Sequence, residues 1–294
     1  MISDKLTTGL SLRIEQELGV ELIDPRLQPV AGGDTHQTYR LKTRDRSFFI
    51  KVNAALNKHI LESEYHSLVL LSDTEVANLY PHPYFNFELA KSTVLVMSCL
   101  SIAPIDRSNA CRCAEGLVRH HKVTAENYGW PSDNYIGSTL QVNAVSENWL
   151  TFFRDQRLLP QLNLASQNGL SSRMLRAIEA ILDRLDDFLP VNPVPSLLHG
   201  DLWSGNIAYC KTRKGLSVFD PAPYYGDSEV DIAMTNLFGS LDDNFYLSYR
   251  ESFPKPAKEL ELHAIYNLYH ALNHFNLFGS NYSALISRNL DLVN

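Results

Sequence analysis

The stretch Leu197-Leu-His-Gly-Asp-Leu-Trp-Ser-Gly-Asn206 constrains this chain more than any other feature. It places His199 two residues before Asp201, and Asn206 five residues after that aspartate. Asp220 follows fourteen residues later at the end of the run Leu216-Ser-Val-Phe219, and a turn, Pro221-Ala-Pro223, comes immediately after it. In isolation, Asp and Asn most often make turn hydrogen bonds. The fixed spacing, with His199 and a strand-terminal Asp220, points instead to chemistry. An amide oxygen and a carboxylate are hard donors suited to Mg²⁺, which takes few protein ligands and keeps several waters. Asp201 is then left to accept or orient the proton of an attacking hydroxyl. His199 reads as a structural hydrogen-bonding residue rather than a base.

The His-x-Asp spacing followed by Asn is that of a protein-kinase catalytic loop, so the predicted reaction is phosphoryl transfer from ATP with Mg²⁺. Asp201 is the predicted catalytic residue, and Asn206 and Asp220 the metal ligands. Such a reaction makes a demand upstream: a strand lysine after a glycine turn, with a glutamate on the next helix to hold it. Lys51, in Phe49-Ile-Lys-Val52, and Glu64, thirteen residues on, fit, with Glu62 competing for the pairing role. Gly32-Gly33 supplies a turn able to lay backbone N–H groups over phosphates, although the full G-x-G-x-x-G pattern is absent.

The order of elements predicts two lobes. Residues 28–52 read as a β-hairpin, with Gln28–Gly33 approaching a turn and strands over Thr38–Thr43 and Phe48–Val52. Leu61, Tyr65, Leu68 and Leu71 mark a helix, Pro81–Pro83 a break, and Val94–Met97 a buried strand. Beyond about residue 100 the pattern turns helical. One apolar stripe runs from Leu175 to Phe188, capped by Ser171 or Ser172 and stopped by Pro190, and another from Leu260 to Phe275. The predicted architecture is α+β and protein-kinase-like, with a small β-rich N-lobe over 1–100 and a larger, mainly helical C-lobe over 101–294.

Composition narrows the class further. The 294 residues carry 26 Lys+Arg against 33 Asp+Glu, a formal charge of −7. Duplex nucleic-acid binding draws its affinity from neutralising many phosphates, so this balance argues against that partner. No run approaches the ~18 apolar residues of a membrane span, and the N-terminus has no apolar leader core, so a cytoplasmic enzyme is expected. Four cysteines are too few and too irregular for a disulfide framework, and Cys111-Arg-Cys113 lacks the second pair a structural zinc needs. His270 and His274 share a helix face without the glutamate of a zinc-protease motif, and read as satisfied structural histidines.

LLHGDLWSGN, followed by FDPAPYYGDSEVDIAM and LFGS, resembles the fructosamine kinase (ketosamine kinase) family. GGDTHQTYRL, FFIKVN, YGWPSDNYIGSTLQVN, WLTFFRDQRLLPQL and NLYHALNHFNLFG extend the resemblance from about residue 30 to residue 280. That family is related in fold to aminoglycoside phosphotransferases and choline kinases. The resemblance implies ATP-dependent phosphorylation, at the third carbon, of ketosamines such as ribulosamine or fructosamine adducts, free or protein-bound, and hence a role in deglycation. It also implies that Met97, Ser98, Cys99 and Leu100 form the hinge that binds adenine, that Trp203 offers a flat face to the sugar, and that Asp231 braces the catalytic loop. The chain departs from the family pattern at Asp34, in the glycine-rich loop, and at Met97-Ser98-Cys99, where relatives commonly have Glu and an aromatic. Two rival readings are another small-molecule kinase, of the aminoglycoside or choline type, and a non-catalytic pseudokinase scaffold. Against the scaffold, Lys51, Asp201, Asn206 and Asp220 are all in place.

Overall fold

A computed structural model describes residues 2–31 and 36–293. The predicted nucleotide-loop glycines Gly32 and Gly33, with Asp34, lie outside the described residues. The chain opens with α1 (Ile2–Leu18) and then lays down β1 (Arg26–Pro29), β2 (Gln37–Lys42) and β3 (Ser47–Ala54). After α2 (Lys58–Ser72) come β4 (Pro83–Leu89) and β5 (Ser92–Ser98). The five strands form one antiparallel sheet in the order β1-β2-β3-β5-β4. Two details differ from the sequence reading. Gln28 sits in an edge strand rather than at a turn, and β4 starts at Pro83, where a break was expected. A proline is tolerated as the first residue of an edge strand, and the register shift between Pro83 and Phe85 absorbs the irregularity.

Period-two alternation in β3 sends Phe48, Ile50 and Val52 to one face. There they pack with Leu10 and Ile14 of α1, Leu41, Val94 and Val96. Lys51 points to the other face, the side on which α2 places Leu61, Leu68 and Leu71.

The rest of the chain is mainly helical. β6 (Ile102–Ala103) leads to α3 (Ala110–His121), the short hairpin β7 (Asn134–Ile136) and β8 (Thr139–Gln141), then α4 (Trp149–Phe153), α5 (Leu159–Gln167) and α6 (Ser172–Leu182). Ser171 caps α6, its Oγ accepting the Met174 N–H at 3.3 Å. The helix ends at Leu182 rather than running to Pro190, and a short 3₁₀ turn (Leu185–Asp187) carries the stripe on. Next come β9 (Ser196–Leu198), β10 (Ile207–Cys210), β11 (Gly215–Val218) and β12 (Tyr224–Gly226). The closing helices are α7 (Glu229–Thr235), α8 (Asp243–Arg250), α9 (Glu259–Phe278) and α10 (Ser283–Asp291). α9 is buried along most of its length, as its scarcity of charged residues requires. No helix among the described residues is long and apolar enough to cross a membrane.

Candidate active site

The β10–β11 hairpin explains the spacing between Asn206 and Asp220. Ile207 pairs with Val218 and Cys210 with Gly215, so the chain leaves after Asn206 and returns beside it. The Phe219 N–H closes the pair by donating to the Asn206 carbonyl at 3.0 Å. β12 then pairs with β9, Tyr224 opposite Leu198, which presses the turn after Asp220 against the loop that carries Asp201. The Ala222 N–H donates to the His199 carbonyl (2.9 Å). Gly200 is obligatory at this crossing: its φ is +83°, and a Cβ would lie 2.0 Å from the Ala222 oxygen.

Inside the loop, the Asn206 side-chain nitrogen donates to the Asp201 carbonyl (2.9 Å) and to Asp201 Oδ2 (3.3 Å). His199 donates through Nε2 to the Phe219 carbonyl at 2.9 Å, and burial holds its pKa below the ordinary imidazole value. Asp231, at the start of α7 and 0% exposed, accepts the backbone N–H of His199 (2.7 Å) and of Gly200 (3.0 Å), and His121 Nε2 (3.1 Å). Burial opposes its charge, but the hydrogen bond and charge of His121, with His199 and His120 nearby, hold its carboxyl down to about 2. Asp201 is pushed the other way, up to about 7, by burial and then by the charges of Asp220 and Asp231. A carboxyl poised there suits proton acceptance near neutrality.

The two lobes meet at Lys51. Its ammonium, 2% exposed, lies 2.6 Å from Glu64 Oε1 and 2.5 Å from Asp220 Oδ1. Burial alone would favour the neutral amine. The two carboxylates overcome that cost, and Lys51 stays charged. Burial also raises Asp220, but the charge and hydrogen bond of Lys51 hold it below the usual carboxylate range. Glu64, its side chain only 10% exposed, is pushed up by burial. Glu62 takes no part; it lies 3.9 Å from Lys58 on the surface. Asp220 has a φ of +58°, a left-handed conformation rare outside glycine, at the point where it meets Lys51.

Met97 is buried in the core of β5, while Ser98, Cys99 and Leu100 are half-buried where the chain leaves the sheet. The Trp203 ring folds back over Gly205, where a Cβ would meet it at 2.2 Å. The indole is 38% exposed. His270 departs from expectation: it is fully buried, yet neither ring nitrogen has a hydrogen-bond partner among the described residues.

Several site-supporting residues lie in the blocks that resemble the family but are given no individual role by the sequence. His36 meets the Asn53 amide at 3.0 Å; burial and the nearby Lys51 charge lower it to about 4. Two buried amides hold the turn after Asp220. Asn134 donates to the Pro223 carbonyl (2.9 Å) and Gln141 to that of Ala222 (3.0 Å), with Tyr269 donating to Gln141 (2.7 Å). Arg157, buried beneath them, lies 3.9 Å over the Tyr224 ring and donates to the Val142 carbonyl and Asn143 Oδ1, both at 2.6 Å.

Solved structures define the class to which this arrangement belongs. The chain aligns with the aminoglycoside phosphotransferase APH(4)-Ia at TM-score 0.64 and 14% identity, over 98% of this chain and 99% of the other. Choline kinase LicA from Streptococcus pneumoniae gives TM-score 0.67 and 15% identity, covering 98% and 99%. The fold is that of the two-lobed, kinase-like phosphotransferases. Nearer relatives narrow it. A candidate fructosamine-3-kinase of Thermobifida fusca matches at TM-score 0.83 and 27% identity, over 97% and 98% of the two chains. A probable ketoamine kinase of Vibrio vulnificus is 35% identical over 268 residues, 90% of this chain and 91% of its own. The chloroplastic protein-ribulosamine 3-kinase of Arabidopsis thaliana is 35% identical over 261 residues, 87% and 79% respectively. The fructosamine kinase family profile spans residues 8–293. The chain belongs to the fructosamine kinase family, and is thereby an ATP-dependent phosphotransferase.

Proposed function

We propose that the chain transfers the γ-phosphoryl group of ATP to the 3-hydroxyl of a ketosamine such as a ribulosamine or fructosamine adduct, and so serves deglycation in the cytoplasm. The observation that carries the phosphoryl-transfer reading is the chain Glu64–Lys51–Asp220, which ties the sheet, α2 and the turn after β11 to one point. The ketosamine reading is supported by family membership and by the exposed Trp203 beside Asp201.

Lys51 would meet the α- and β-phosphates, the Gly32-Gly33 turn would cover them, and the backbone of Met97–Leu100 would hold adenine. The donor set fits Mg²⁺. The Asn206 nitrogen is committed to Asp201, which leaves an oxygen as its remaining donor, and Asp220 uses Oδ1 on Lys51, which leaves Oδ2. Asn206 and Asp220 would hold Mg²⁺, which when bound would neutralise the phosphate charge. Asp201 has one oxygen, Oδ2, engaged by Asn206, so Oδ1 is the atom that takes the proton of the acceptor hydroxyl. Trp203 lays a flat apolar face against the sugar. Positioning and electrostatic preorganisation, rather than covalent chemistry, supply most of the acceleration.

ADP release should be measured with ribulosamine, fructosamine, an aminoglycoside and choline as acceptors, and the product placed by ³¹P NMR. The reading expects turnover on a ketosamine with phosphate on the third carbon. Turnover confined to the aminoglycoside or choline overturns it.

A further inference from the structure

A band of aromatic rings leads away from Trp203. Its indole stands edge-on to Phe238, centroids 6.2 Å apart, and Phe238 lies 4.6 Å from the His274 ring. His274 in turn meets Phe278 (5.7 Å) and Tyr282 (5.2 Å), which also touch each other (5.7 Å). The rings come from three places: the segment after α7, the last turns of α9, and the turn before α10. His274 is oriented by its Nδ1, which donates to the His270 carbonyl at 2.9 Å.

Two observations mark this band as a binding wall rather than core. Phe238 is 36% and Phe278 42% exposed, beside the exposed Trp203. Contiguous exposed apolar surface of this kind marks an interaction site. The two segments that supply Phe238, His274, Phe278 and Tyr282 also carry no charged side chain. No Asp, Glu, Lys or Arg occurs between Asp231 and Asp242, or between His263 and Arg288. A polycationic acceptor would need carboxylates here, and an anionic one would need cations. Aromatic faces offer something narrower: apolar contact, and attraction for a single cation through the ring quadrupole.

A ketosamine matches that offer. Its secondary amine is protonated near neutrality, with the sugar on one side and the substituent of the parent amine on the other. We propose that Phe238, Phe278 and Tyr282 form a subsite for that substituent, selecting an uncharged apolar or aromatic group, with the ammonium against the ring faces between it and Trp203. This rests on the ketosamine reading above and adds the amine preference.

The test uses full-length protein and ribulosamines made from phenethylamine, methylamine and glycine. Wild type should show a kcat/KM for the phenethylamine adduct roughly 10-fold or more above that for the glycine adduct, carried mainly by KM. Phe278→Ala and Tyr282→Ala should each cut that ratio by about 2- to 10-fold, the weight of one aromatic contact, and Phe278→Tyr should keep it. A wild-type ratio near one, or alanine variants that lower all three adducts alike, overturns the subsite. If no ketosamine turns over while another acceptor does, the functional reading fails and the subsite with it.

Discussion

Asp231 offers a perturbation whose size can be worked from the structure. Its buried carboxylate is the shared acceptor for two backbone N–H groups of the loop that carries Asp201 and for His121. Asp231→Ala orphans all three donors. At about 1–3 kcal/mol for each buried unsatisfied group, the loss is about 3–9 kcal/mol, comparable with the whole stability of a typical domain. Asp231→Asn keeps one acceptor oxygen but turns an N–H₂ toward a donor, and should cost about 1–3 kcal/mol. The sign of the pH dependence follows from a carboxyl held at about 2 against 3.8 when unfolded. Its contribution is fully present above 3.8 and is lost as pH falls toward 2, a span of roughly 2 kcal/mol. Urea denaturation followed by far-UV circular dichroism, at pH 7 and near pH 3, reads both effects. An Asp231→Ala protein within about 1 kcal/mol of wild type at pH 7 would refute the reasoning.

Further expectations follow from the same geometry. Burial lowers His120 and His270 to about 3 against 6.5 unfolded, so each stays neutral in the fold while the unfolded chain takes up protons below pH 6.5. The contribution of these two histidines should therefore fall by about 4 kcal/mol between pH 7.5 and 5, about 2 each, partly offset by Asp201, which takes up a proton in the fold over the same range; a stability–pH profile left unaltered by His270→Phe contradicts this. Gly200→Ala, whose Cβ would strike Ala222, should cost at least about 3 kcal/mol or abolish turnover, whereas Gly169→Ala, with φ +86° and open space around it, should cost only about 1–2 kcal/mol. Lys51→Met should weaken ATP binding in calorimetry by about 10-fold or more and cut turnover by about 10²-fold; unchanged affinity would remove Lys51 from the nucleotide site.

The two-lobed fold was legible because its signals are local. Strand alternation around Lys51, the helix stripe of α2 and the loop spacing from His199 to Asp220 each lie within a few turns of chain. The fourteen-residue gap between Asn206 and Asp220 makes sense as a hairpin only once Ile207 and Val218 are seen to pair. β4 was hidden by Pro83, whose edge position removes the usual objection to proline in a strand. The supports were illegible for a different reason. Asn134, Gln141 and Tyr269 reach carbonyls 81 to 128 residues away in sequence, and a buried amide looks no different in sequence from a turn residue. Arg157 carries no motif either; its role rests on rings and carbonyls that only the fold assembles around it. The Trp203 ring was predicted at the cleft, but the rings beyond it come from separate segments that no periodicity links.

The central claim is that Asp201 takes the acceptor's proton while Lys51, Asn206 and Asp220 serve the nucleotide and its metal. The direct measurement is turnover of Asp201→Asn on a ribulosamine, paired with the ATP affinity of the same protein. The account predicts ATP binding within a few-fold of wild type and a rate lower by about 10²–10⁴-fold, the range for losing a general base. Near wild-type turnover in that variant would contradict it.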